Sequence, residues 1–199
     1  MEQHPPKNHH RTERTKAEWR TQFAAVRAAL SDADYAAKST AICDRLQALP
    51  AVRKATTVHC YWPLVARREI DTRPFIAACE AAGQRVVLPV VESFRGTPRM
   101  VHRLYEGADR LVTNRWGLEE PTGPIVAPAD LDVVIVPAFG ADRRGHRIGH
   151  GRGFYDVFLA ETTAWRVCVV YEACLVECLP SESHDIAAST VVTEQTVLS

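Results

Sequence analysis

Three glycines at alternate positions, Gly149, Gly151 and Gly153, follow a run of arginines (Arg143, Arg144, Arg147) and enclose another, Arg152. Glycine tolerates positive φ and lets backbone approach a ligand closely, so successive N–H groups can converge on one anion. The apolar, β-branched run at residues 131–136 reads as a strand that delivers this loop, and residues 154–160 read as a helix behind it. The positive end of that helix points at the same place. A phosphate is the ligand that such a loop suits. The spacing is neither that of a P-loop, which ends in Gly-Lys-Ser/Thr, nor that of a dinucleotide fingerprint, which has Gly where Phe154 stands. Asp156, in the first turn of the helix, has two readings: a dipole-stabilising carboxylate, or, beside a bound phosphate, a ligand for Mg²⁺.

Other candidate groups lie far from the loop in sequence. Lys16 and Arg20 stand one helical turn apart and share a face, which taken alone is a solvated surface. Glu69 follows a strand and a loop, where a carboxylate faces solvent or helps to cap the next helix. Asp185 ends the segment Leu179-Pro-Ser-Glu-Ser-His-Asp185, where an aspartate reads first as a turn residue. Cys43, Cys60, Cys79 and Cys168 sit in apolar segments as small hydrophobes. Cys174 and Cys178, with His184 nearby, have no second pair to complete a metal site and read as structural.

These groups need a scaffold, and the patterning supplies one. A helix is expected at residues 16–30 with Phe23, Val26, Ala29 and Leu30 on its apolar stripe, and a second after Ser31, with Asp34 in the capping-box position and Pro50 as its stop. Residues 56–61 read as a strand. Asp71 or Thr72 caps a third helix, with Pro74 in its first turn and Gly83 just past its end. Residues 85–91 read as a strand covered on both faces, 100–104 as a weaker one, 106–128 as turn and loop, and 166–171 as another buried strand. Strands alternating with helices give an α/β layered sheet, whose ligands gather beyond the carboxyl ends of the strands. A length of 199 residues fits one domain, at 16–199, and residues 1–15 read as a disordered, polar extension without the apolar core of a signal peptide. The 24 basic and 24 acidic residues balance, so no nucleic acid or membrane surface is implied, and no apolar run is long enough to span a bilayer. A monomeric, cytoplasmic protein acting on small molecules is the expectation.

Pro137, Asp142, Gly145, Arg147, Gly149, Gly151, Gly153, Tyr155 and Asp156 fall without a gap on the pattern Pro-Gly-Leu-Ala-Phe-Asp-x-x-Gly-x-Arg-Leu-Gly-x-Gly-x-Gly-Tyr-Tyr-Asp. That pattern is the signature of the 5-formyltetrahydrofolate cyclo-ligases, which the chain therefore resembles. Lys16-Ala-Glu-Trp-Arg20, Glu69-Ile-Asp-Thr72, Trp116-Gly-Leu-Glu-Glu-Pro121 and the 179–185 segment follow in family order, so that the likeness runs over residues 16–194. The resemblance implies a three-layer α/β/α fold with a mostly parallel sheet, similar to the NagB/RpiA/CoA-transferase-like fold. It implies conversion of 5-formyltetrahydrofolate to 5,10-methenyltetrahydrofolate with ATP and Mg²⁺. It assigns Lys16, Arg20, Asp142, Gly145, Arg147, Gly149, His150, Gly151, Arg152, Gly153 and Tyr155 to ATP. Lys16, Arg147 and Arg152 would act on the transferred phosphoryl group, and Asp156 and Asp185 would hold the metal. Glu69 would bind the reduced folate; the aromatics Tyr61 and Trp62 just before it read either as packing on the pterin or as core. Departures from the family include Trp19 for Leu, Ala138 for Gly, Ala141 for Phe, and His150 for a frequent Tyr. The loss of the Phe at position 141 is expected to remove a wall near the site. A sugar-phosphate isomerase or hydrolase on a similar sheet, and a non-catalytic member that binds nucleotide or folate, are the alternatives.

Overall fold

The structure, a computed structural model, describes residues 14–93 and 98–199; the expected extension before residue 14 lies outside the described residues. In chain order the helices and strands are α1 (Lys16–Ala28), α2 (Asp32–Ala48), α3 (Pro50–Lys54), β1 (Thr57–His59), α4 (Arg73–Ala81), β2 (Arg85–Ser93) and β3 (Arg99–Leu104). Then follow β4 (Leu111–Thr113), β5 (Glu119–Pro121), β6 (Val133–Pro137), β7 (Gly140–Asp142), β8 (Arg147–Ile148), α5 (Phe154–Leu159), β9 (Trp165–Val169), β10 (Leu175–Val176), β11 (Thr190–Val192) and β12 (Val197–Leu198).

Seven strands form the main sheet in the order β12-β11-β9-β6-β1-β2-β3. The five inner strands are parallel, and each edge strand, β12 and β3, is antiparallel to its neighbour. From β1 the chain moves outward to β2, then returns to the other side of β1 as β6 and continues to β9. The sheet thus has a switch point between β1 and β6, the place where open α/β sheets leave a crevice beyond their strand ends.

Alternation along β6 shows how the two faces are covered. Val133 and Ile135 join the large core with Phe23, Ile42, Leu46, Phe75 and Ile76 of α1, α2 and α4, whereas Val134 and Val136 face a smaller core with Phe158 and Leu159 of α5. All four β6 side chains are at most 1% exposed, and each buried aliphatic contributes roughly 1.5–3 kcal/mol. The layers are unequal: α5 has six residues, so much of the second covering layer is turn and loop.

The helix ends follow local chemistry. Thr15 caps α1 in a complete capping box with Glu18, so described structure begins within the segment that patterning assigns to the extension. Ser31 caps α2 by accepting from Asp34 N at 3.1 Å. Pro50 ends α2 as expected but also opens α3, because proline suits a first turn. Residues 106–128, expected as loop, contain the antiparallel β4–β5 hairpin. The turn after residue 137, expected as a plain charged loop, is a β7–β8 hairpin extended by β10. Among the described residues no helix is long and apolar enough to cross a membrane.

Candidate active site

The β7–β8 hairpin presents the glycine loop, and Asp142 builds its turn. The fully buried Asp142 carboxylate accepts backbone N–H bonds from Arg144, His146 and Leu179 at 2.9, 2.9 and 3.0 Å. Burial alone would raise its pKa, but those bonds, with the His146 ring 3.2 Å away, hold it below the usual carboxylate value. Asp142 therefore shapes the loop, and it lies outside the lining of the cavity described below. Gly145 is outside as well: its site is set by close packing, since a Cβ there would stand 2.4 Å from the Ala188 carbonyl oxygen. Ala141 is fully buried in the large core and not at the cavity wall, so the missing Phe is a change of packing.

Helix α1 lies across this hairpin through Phe23, whose ring leaves no room for a Cβ at Gly140. Lys16, Arg20, Phe23 and Arg27 recur at helical spacing, so one face carries three cations toward the sheet. Lys16 Nζ donates to Asp185 Oδ2 at 2.7 Å and meets Glu182 Oε1 at 2.8 Å. Burial depresses the ammonium's pKa, but the two carboxylates outweigh this and raise it, while Lys16 pulls Asp185 below its ordinary value despite burial. Arg20 Nε donates to the Gly149 carbonyl at 2.8 Å. Gly151, at φ +77°, takes a left-handed conformation, and a Cβ there would fall 2.8 Å from the Arg20 guanidinium. The glycine loop is therefore seated directly on α1.

Between them opens a cavity of about 860 Å³, beyond the carboxyl ends of β1 and β6 at the switch point. Lys16, Arg20, Arg147, Gly149, His150, Gly151, Arg152, Gly153, Tyr155, Asp156 and Asp185 all line it. Eleven of the expected residues thus converge from three parts of the chain. Arg147, whose side chain is only 6% exposed, donates to Asp156 Oδ1 at 2.6 Å and to the Ile186 carbonyl, which fixes its planar fork. Tyr155 packs its ring on the buried side of the wall, and burial raises its phenol pKa well above the ordinary value.

Asp156 and Asp185 each commit one oxygen to protein donors. Among the described residues Asp156 Oδ2 has no hydrogen bond, and Asp185 Oδ1 has only His184 Nε2 at 3.8 Å. Mg²⁺ takes one or two carboxylates together with substrate phosphate oxygens, so this pair fits it. Among the described residues no three or more His, Cys, Asp or Glu are placed to hold a metal ion by themselves, and a metal here would draw its remaining ligands from substrate and water.

Glu69 sits apart in a much smaller chamber with Arg27, Tyr61, Pro137, Ala138, His150 and Tyr171. Its carboxylate accepts from Leu64 N at 3.0 Å and faces His150 Nε2 at 3.3 Å and Arg27 Nη2 at 4.0 Å. Tyr61 touches this chamber but is otherwise core, with its hydroxyl donating to the Ile70 carbonyl at 3.2 Å. Trp62 reaches neither space: its indole N–H donates to Glu119 at 2.7 Å and its ring packs on Tyr105. The cavity's tryptophan is Trp116, which the β4–β5 turn projects with Leu118. Asn114 folds that turn by accepting from Trp116 N and Leu118 N at 2.8 and 3.0 Å.

A family model described as the 5-formyltetrahydrofolate cyclo-ligase family matches residues 12–194. The chain belongs to this family. A 5-formyltetrahydrofolate cyclo-ligase of Escherichia coli (strain K12) is 35% identical over 159 residues, which cover 77% of this chain and 86% of the relative. One from Mycolicibacterium smegmatis is 39% identical over 118 residues, covering 56% and 60%. The NMR structure of the Aquifex aeolicus 5,10-methenyltetrahydrofolate synthetase superposes with a TM-score of 0.81 at 29% identity, covering 92% of this chain and 91% of that one. A Mycoplasma pneumoniae 5,10-methenyltetrahydrofolate synthetase shares the fold, with a TM-score of 0.73 at 20% identity. Within this site, sequence reasoning passed over Arg27 and gave Trp116 and Glu182 no role. Arg27 was discoverable from its spacing of seven from Arg20, and Trp116 from the Asn114–Gly117 turn signal that projects it.

Proposed function

We infer that the chain closes 5-formyltetrahydrofolate to 5,10-methenyltetrahydrofolate while ATP becomes ADP and phosphate. The observation that carries this reading is the convergence, in one cavity at the switch point, of cations from α1 and the glycine loop with two carboxylates suited to a metal. A formyl oxygen is a poor leaving group. Transfer of the γ-phosphoryl group to it makes the formyl carbon electrophilic, N10 attacks that carbon and gives up its proton, and phosphate departs with the oxygen. The protein supplies little covalent chemistry in such a reaction and acts by positioning and by neutralising charge.

Lys16, Arg147 and Arg152 are the cations that offset charge on the transferring phosphoryl group, and Arg147 is already held in place by Asp156 and Ile186. Asp156 and Asp185 would hold Mg²⁺, which would supply positive charge to offset that of the phosphates. Backbone N–H groups around Gly149, Gly151 and Gly153 cradle the polyphosphate, while Arg20 braces the loop from behind. Glu69 accepts hydrogen bonds from the amino and ring N–H groups of the pterin, a role for which a carboxylate is chemically suited. Trp116 supplies an aromatic face at the cavity wall.

The test is the appearance of the methenyl chromophore from 5-formyltetrahydrofolate, with and without ATP and Mg²⁺. Formation only in the complete mixture is expected. No product in that mixture would sink the activity, and full turnover without ATP or in excess chelator would sink the phosphoryl-transfer route.

A further inference from the structure

His150 and Pro137 line both the large cavity and the small chamber that holds Glu69, so together they form the partition between them. The chamber behind this partition measures about 10 Å³, at the lower limit for one water molecule. Glu69 is 7% exposed, and each of its oxygens is taken: Oε2 by Leu64 N at 3.0 Å, and Oε1 by His150 Nε2 at 3.3 Å, with Arg27 4.0 Å away. Leu64 N is backbone and Arg27 is fixed by the Arg67 and Arg68 carbonyls at 3.1 Å. His150 is the partner that can leave, with a side chain 45% exposed and glycines on both sides.

We propose that His150 is a gate residue for the folate half of the site: it occupies the Glu69 carboxylate when no ligand is bound, and it must swing aside before a pterin can reach that carboxylate. This rests on the reading of Glu69 as the folate's partner. Because His150 lies inside the glycine loop, its position is tied to the backbone at Gly149 and Gly151 that a polyphosphate would reset. A nucleotide in the loop therefore eases folate binding through His150, without touching Glu69.

The experiment is calorimetric titration of 5-formyltetrahydrofolate into the full chain, with and without a non-hydrolysable ATP analogue. His150→Ala removes the competitor and should tighten folate binding without nucleotide by roughly three- to tenfold, the worth of one hydrogen bond exchanged. It should also abolish the further tightening that the analogue gives the wild type. His150→Gln keeps an N–H donor for Glu69 and should behave as the wild type does, which separates a gate from a structural role. Unchanged or weaker folate binding by His150→Ala, while Glu69→Gln still weakens it, overturns the gate alone. Unchanged binding by Glu69→Gln overturns the gate together with the reading it rests on.

Discussion

The cavity assigns different tasks to side chains of the same type. Arg20 is held by the Gly149 carbonyl and Arg147 by Asp156, and Arg152 stands on the glycine loop at the cavity. Arg152→Ala should therefore weaken ATP binding by roughly 1.5–3 kcal/mol, about ten- to a hundredfold, through the loss of one charge-assisted bond to phosphate. Calorimetry with ATP and Mg²⁺ reads this directly, and an unchanged affinity would remove Arg152 from the phosphate site. Asp185→Asn keeps the shape but weakens both the hold on Lys16 and the metal pair. It should raise the Mg²⁺ concentration needed for half-maximal activity, whereas a change in folate Michaelis constant alone would count against a metal role. At this scale the sequence singled out cations and glycines that the fold brings to one cavity, because alternate glycines among arginines stand out from an ordinary turn. It set both Asp142, on ATP, and Asp156, on the metal, in the same site. Both are aspartates in one motif, and only the fold shows that one ties a turn to Leu179 while the other reaches the cavity. Trp62, open in sequence between pterin and core, packs on Tyr105 and donates to Glu119, because adjacency to Glu69 does not decide where a side chain finds its hydrogen-bond partner.

Elements place these residues, and α1 places the most. Its stripe was legible at Phe23, but Arg27 interrupts the apolar pattern because two backbone carbonyls and the Phe139 ring, 4.8 Å away, compensate its burial. The short hairpins were harder to read. Strands of two or three residues carry no usable alternation, so β7–β8 and β4–β5 looked like loop even though they set the glycine turn and Trp116. The main parallel strands, buried on both faces, were legible as β-branched runs. The cap of α1 offers a test of positioning at this scale. Thr15→Ala breaks a capping box and costs about 1 kcal/mol, or roughly 2–4 °C in melting temperature. Since Lys16 is the next residue, fraying of that first turn should also raise the Michaelis constant for ATP, whereas Thr21→Ala, on the exposed side of the same helix, should not. Equal effects from the two substitutions would mean that the cap does not position Lys16.

Over the whole molecule, the sheet brings a second pair of ionisable groups together beneath the cavity. His59 at the end of β1 and His102 in β3 share a 3.1 Å hydrogen bond and pack against Phe158 of α5, at 0% and 3% exposure. Burial drives the pKa of His102 down to about 4 and that of His59 well below its ordinary value. Folded-state values below the unfolded one mean that the unfolded chain binds more protons on acidification. The stability contributed by the neutral pair is therefore complete above about pH 6.5 and is lost as pH falls from there toward the folded-state values. For His102 the slope is about 1.4 kcal/mol per pH unit, so roughly 2 kcal/mol should be gone by about pH 5, and His59 adds a loss of the same sign. Asp142 and Asp185, depressed from 3.8, give up their contributions only below that value and do not confound this window. Tyr155, which lines the cavity, packs edge-on to His59 at 6.3 Å, so loosening of the pair in acid also loosens the wall of the site. Urea unfolding should show a clearly lower midpoint near pH 5 than near pH 7, and His102→Gln, which retains a partner for His59, should remove about half of the difference. Equal wild-type midpoints at the two pH values would show that the pair is not held neutral by the fold.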